Sequence, residues 1–190
     1  MTYPTNPEFA AVNVISRTSN AVTETKSGRR QVRSIGAQRW AFTAKYNNLT
    51  RDEFMPVYAF VMSQKGQLGT FQVIPPVVGS SRGTVAGSMA VNGAHNLGDF
   101  SIAVDGFTGT IKAGDFVKFA GHTKVYMVTA DLTGAGNLSI EPPLSEQLSN
   151  DEAVTYNSVP FTVRLNNDIQ EYSLGGYDRY EFEIDFVEAL

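Results

Sequence analysis

Gly79-Ser80-Ser81-Arg82-Gly83 has the G-x-S-x-G spacing of a serine nucleophile, a place in this chain where residue spacing suggests catalysis. That chemistry needs a buried strand before the serine and a helix after it, so that the hydroxyl rises on a strained turn. Pro75-Pro76 precedes the motif and Thr84-Val85-Ala86-Gly87-Ser88 follows it, and neither fits, so a turn is the expected role. His95 and His122 are the only histidines, and no H-x-x-x-H or similar spacing offers a zinc site. Glu181, Glu183 and Asp185 alternate along one strand face, where two carboxylates could serve a glycosidase as acid and base. No cleft or apolar pocket is evident to raise one of their pKa values, so a solvated or inter-subunit face is expected. Trp40 and Tyr46 lie in a basic run that could stack single-stranded nucleic acid, although Trp40 is expected in the core. Walker A, dinucleotide and EF-hand patterns are absent. No catalytic residue, metal ligand or cofactor is assigned, and the chain is expected not to be an enzyme.

Charge is the chemistry that remains, and it is segregated. Lys26, Arg29, Arg30, Arg33, Arg39, Lys45 and Arg51 follow one another with no intervening carboxylate. Asp168, Glu171, Asp178, Glu181, Glu183, Asp185 and Glu188 face only Arg179 in the last stretch. The plainer reading is two neighbouring strands whose solvent faces neutralise each other. A second reading, compatible with the first, has the basic edge of one subunit meeting the acidic edge of the next, since complementary fields fix register. The net charge of −4 gives no general reason to bind nucleic acid.

The elements that must position these charges are mostly strands. Seventeen Gly, eight Pro, twelve Phe and eight Tyr in 190 residues favour strands and tight turns. With no Cys, cohesion must come from packing, and 42% hydrophobic residues suffice for a core. Residues 1 to 10 are expected to be an arm, Ala11 to Arg17 a strand, and Ser19 to Gly28 a polar connection. Gln31 to Tyr46 is the clearest early strand, because Trp40, Phe42, Ala44 and Tyr46 alternate with Arg39, Thr43 and Lys45. Thr50-Arg51-Asp52-Glu53 is a capping box with Leu49 and Phe54 as a hydrophobic staple. Phe54, Val57, Tyr58 and Val61 then lay one helix on a sheet, with Gly66 as its stop. Pro56 within it predicts a kink or a late start. Thr70 to Ile74 is a further strand.

After Pro75-Pro76 the segments are short and Gly-rich: Val85 to Val91, Phe100 to Val104, Asp115 to Ala120, Lys124 to Thr129, Leu138 to Glu141 and Ala153 to Tyr156. That spacing predicts a small barrel, with a turn at Gly121-His122 and a single helical turn at Ser145 to Ser149. Past Val159-Pro160, Phe161 to Leu165 and Tyr180 to Phe186 resume strong alternation, with a turn at Gly175-Gly176. The expected organisation is nested: one domain from residues 1–75 and 160–190, and an inserted small β-barrel domain at 76–159. No stretch approaches the ~20 apolar residues of a membrane span. Met1-Thr2-Tyr3-Pro4 lacks signal-peptide character, so synthesis in the cytoplasm is expected.

This arrangement resembles the distal tail proteins of tailed bacteriophages, a baseplate hub ring family whose main domain shares the tail-tube fold. The residues that carry it are Arg39-Trp40-Ala41-Phe42, Thr50-Arg51-Asp52-Glu53-Phe54 and Gly69-Thr70-Phe71-Gln72-Val73. Gly114-Asp115-Phe116-Val117-Lys118-Phe119 and Lys124-Val125-Tyr126-Met127-Val128 add to it. The resemblance implies a β-sandwich with one packed helix, usually a homo-hexameric ring, and a projecting barrel. It also implies a virion protein that joins tail tube to host-recognition apparatus, contacts other tail and baseplate proteins, and keeps a passage open for DNA. Arg29, Arg30, Arg33, Glu181, Glu183 and Asp185 are the expected inter-subunit residues. A tail-tube or minor tail protein fits the same description. A carbohydrate-binding module is the rival from another class, on exposed-looking Phe107, Tyr126 and Tyr156.

Overall fold

The computed structural model describes residues 1–36 and 38–190. The chain runs β1 (Ala11–Arg17), β2 (Asn20–Glu24), β3 (Arg30–Ser34), β4 (Arg39–Leu49), helix α1 (Arg51–Ser63), a 3-10 turn at Gly66–Leu68 and β5 (Phe71–Val73). Eight short strands follow: β6 (Ala86–Val91), β7 (Ser101–Thr108), β8 (Thr110–Ile111), β9 (Phe116–Phe119), β10 (Tyr126–Val128), β11 (Leu132–Thr133), β12 (Gly136–Glu141) and β13 (Val154–Thr155). The chain closes with β14 (Phe161–Leu165), β15 (Tyr172–Gly175) and β16 (Arg179–Glu188). It is a mainly β protein with one packed helix.

The first sheet has the order β1-β4-β16-β14-β5, with β15 also on β16. Its inner face follows from the period-2 pattern: Trp40, Phe42, Ala44 and Tyr46 of β4 are buried, as are Tyr180, Phe182, Ile184 and Phe186 of β16. Helix α1 covers this face through Phe54, Val57 and Val61. The Phe54 ring stacks on Tyr180 at 4.8 Å and meets Phe182 edge-on at 5.6 Å. The Glu53 carboxylate accepts from the Thr50 N–H at 2.8 Å and from its hydroxyl at 2.7 Å. With its cap engaged, the helix begins at Arg51, so the late start that Pro56 suggested does not occur.

The second sheet, β13-β9-β10-β12-β7-β6, curls until Ala90 bridges Ala153 and its two edges nearly meet. This is the barrel-like unit that the short strands predicted. Ile102, Val104, Ile111, Val117, Phe119, Tyr126, Val128 and Leu138 fill it.

Four local expectations are corrected. Residues 1 to 10 are no free arm: Thr2 bridges Gln72, and the Tyr3 ring lies among Phe9, Phe60, Phe71 and Phe186 at 5.4 to 5.8 Å. Burying those rings outweighs the polar, Pro-punctuated texture that suggested solvation. Ser19 to Gly28 is not a plain connection, because Asn20–Glu24 pairs with Arg30–Ser34 as a hairpin. The expected strand Gln31 to Tyr46 accordingly falls into β3 and β4, and residue 37 lies outside the described residues. Ser145 to Ser149 forms no helical turn; Leu148 instead makes an extended bridge to His95.

Candidate assembly surfaces

The outer face of the first sheet carries the predicted carboxylates. Glu183 stands opposite Lys45 and pairs with it at 2.7 Å, while Asp185 stands opposite Thr43 and accepts its hydroxyl at 2.6 Å. Glu181 stands opposite Ser173 on β15. The Lys45 ammonium is held above its ordinary value by the hydrogen bond to Glu183. With Glu171, the three carboxylates line a cleft of about 500 Å³, walled by Asn167 and residues 169 to 173. The sheet therefore brings Glu181, Glu183 and Asp185 together.

The predicted arginines lie elsewhere, on the β2–β3 hairpin. Every residue of both strands is exposed. Arg30 faces Glu24, Arg33 faces Ala21, and Val22 faces Val32 across the ribbon. Arg29 closes the tip, its N–H donating to the Thr25 hydroxyl at 3.2 Å. Between residues 20 and 34, four cations accompany one carboxylate. The hairpin continues the β1–β4 ladder, with Ile35 N–H donating to the Ser19 carbonyl at 3.1 Å. Among the described residues, none of these arginines forms an ion pair within the chain. Between the two charged segments, among the described residues, Lys45 and Glu183 form the one ion pair.

A junction between the two sheets escaped the sequence reading. Lys124 and Glu188 are 2% and 0% exposed and form a buried ion pair. Burial pushes the Lys124 ammonium down, against the opposing pull of Glu188. Gln38 accepts from the same ammonium at 2.6 Å. The Glu188 carboxylate also accepts the backbone N–H of Trp40 at 3.1 Å and of Val125 at 2.9 Å. Trp40 Nε1–H donates to the Val125 carbonyl at 2.8 Å, and its ring meets Phe116 edge-on at 5.0 Å. Burial of Trp40 removes the base-stacking surface that nucleic-acid binding there would need. One sequence signal existed: Glu188 continues the buried parity of Tyr180, Phe182, Ile184 and Phe186, where a carboxylate demands a partner.

The remaining chemical candidates resolve into structure. The Ser81 hydroxyl donates to Asp115 at 2.5 Å, and Arg82 donates to the same carboxylate through its N–H at 3.1 Å and its guanidinium at 3.3 Å. A Cβ on Gly83 would collide with the Thr110 carbonyl, which accounts for the second glycine of the motif. His122 lies between the Tyr126 hydroxyl and the Gln147 carbonyl, and His95 Nε2 accepts from Ala103 N–H. Neither imidazole hydrogen-bonds Ser81. Phe107 and Tyr126 are buried, and of the three expected sugar-stacking aromatics Tyr156 alone keeps part of its surface exposed while its hydroxyl donates to the Gly87 carbonyl. Among the described residues, no group of three His, Asp or Glu could hold a metal, and no helix is long and apolar enough to cross a membrane.

No family model matches the chain. Over 175 residues it is 27% identical to the distal tail protein pb9 of Escherichia phage T5, covering 86% of this chain and 84% of that protein. This similarity supports a structural role in a phage tail.

Proposed function

We propose that the chain is a structural virion protein that forms a closed, hexameric ring at the distal end of a phage tail or baseplate. There it joins the tail tube to the host-recognition apparatus and leaves a passage for DNA. The similarity to a distal tail protein along 86% of the chain carries this reading. Residues 1–75 and 160–190 are read as a tail-tube-like ring domain, and residues 76–159 as an inserted barrel.

The separation of charge supports a mechanism. Among the described residues, the four cations of the hairpin form no ion pair within the chain, although Arg30 stands opposite Glu24, and a cleft with four carboxylates holds Lys45 as its cation. Complementary charge fixes the register of protein contacts, and a closed ring hides open strand edges. Arg29, Arg30 and Arg33 of one copy accordingly meet Glu181, Glu183 and Asp185 of the next.

Light scattering across concentration, with negative-stain images of the eluted particle, tests the reading. Rings with an open centre are expected. A chain that stays monomeric at every concentration overturns it.

A further inference from the structure

We propose that Arg17, Arg39 and Arg164 form a phosphate-binding cleft at the basic end of the first sheet's outer face. Arg17 and Arg39 stand directly opposite each other across β1 and β4, a like-charge pair that weakens a sheet. Arg164 on β14 stands opposite Val187, which stands opposite Ala41. Since directly opposed residues share a face, all three side chains emerge on one side. With Ser19, Gln67 and Asn166 they line a cavity of about 650 Å³.

Among the described residues, no carboxylate lies within 4.0 Å of any of these guanidiniums. Arg17 donates to Asn166 Oδ1 at 3.3 Å. On the same face, Asp185 stands two residues from Val187 and accepts the Thr43 hydroxyl at 2.6 Å, and Glu183 pairs with Lys45; neither they nor Glu181 line the cavity. Guanidinium forks match phosphate oxygens, and three in one cleft make a strongly positive site on a chain of net charge −4. No aromatic side chain lines the cavity, so a base finds nothing to stack on and recognition stops at the phosphate. The source is a nucleic-acid backbone or free phosphate. The inference rests on the proposed tail role only for where that backbone comes from, namely DNA in transit.

Fluorescence anisotropy of a short labelled duplex with the full chain at low salt tests it, followed by a salt titration. Binding is expected, with a steep fall as salt rises. The combined substitution Arg17→Gln, Arg39→Gln and Arg164→Gln weakens it about tenfold or more and flattens the log–log salt slope by about one per arginine. Arg51→Gln with Lys65→Gln, two exposed cations outside both the cleft and the proposed inter-subunit contact, leaves it near the parent value. Displacement by inorganic phosphate at matched ionic strength assigns free phosphate as a second source; indifference to it assigns the polymer backbone. Absence of binding, full affinity in the first variant, or loss confined to the second overturns the cleft. Light scattering on the same proteins separates the two ideas. Rings that ignore DNA sink the cleft alone, and a DNA-binding monomer sinks the ring alone.

Discussion

Glu188 holds more of this structure than its place near the end of the chain suggests. It pairs with Lys124 and also accepts two backbone N–H groups, those of Trp40 and Val125. Removing one partner of a buried ion pair leaves the other charge uncompensated, so Glu188→Leu is expected to cost about 3–5 kcal/mol in urea unfolding. Adding Lys124→Met removes the orphaned charge but not the orphaned amides, so the double variant recovers only part of the loss. Asp115 makes a pH-dependent contribution. Burial raises its pKa, but hydrogen bonds from Ser81, Arg82 and Lys112 outweigh that and hold it below the ordinary 3.8. A carboxyl depressed in the folded state contributes stability above its unfolded pKa and loses it as pH falls through the folded value. Asp115→Asn should therefore be less stable than the parent at neutral pH, and the gap should narrow below about pH 4 in acid titrations followed by circular dichroism.

Two elements carry local tension. Pro56 sits inside α1 on the exposed side, where it removes a helix hydrogen bond and contributes no buried packing. Pro56→Ala should raise stability by about 1–3 kcal/mol, read as a higher thermal midpoint. The β2–β3 hairpin has no third strand and no buried side chain, and a lone two-stranded ribbon is marginal in water. Its amides should exchange rapidly in the dissociated chain and become protected on assembly, measured by hydrogen exchange on both forms. Equal protection in both would show that no neighbour covers the hairpin.

At the scale of the molecule, the separation of the two charge sets predicts a paired response. Glu181→Lys with Glu183→Lys and Asp185→Lys should block ring formation while circular dichroism shows a folded monomer. Within the chain, the variant loses the exposed Lys45–Glu183 pair and the Thr43–Asp185 hydrogen bond, each contributing about 0–1.5 kcal/mol. Adding Arg29→Glu, Arg30→Glu and Arg33→Glu should restore rings, because the complementarity is inverted on both sides. Rings that form unchanged with only the lysine set would refute the contact.

The strands and the helix were legible wherever one face is buried and the other wet. That contrast writes itself into residue order, as in Trp40 to Tyr46, Tyr180 to Phe186 and the stripe of α1. The mainly β class, the single helix and the barrel-like run of short strands all followed from such periods. The β2–β3 hairpin was not legible, because both faces are exposed and its order rests on backbone pairing. Tyr3 was missed for the opposite reason: its burial depends on rings from residues 60, 71 and 186, which no local window contains. Charge segregation could be read directly, but which charges share a face could not. Strand register placed Glu183 against Lys45 and Arg30 against Glu24, the latter with no ion pair formed, and gathered Arg17, Arg39 and Arg164. Sequence order sets each strand's alternation, whereas only long-range pairing sets which strands lie side by side.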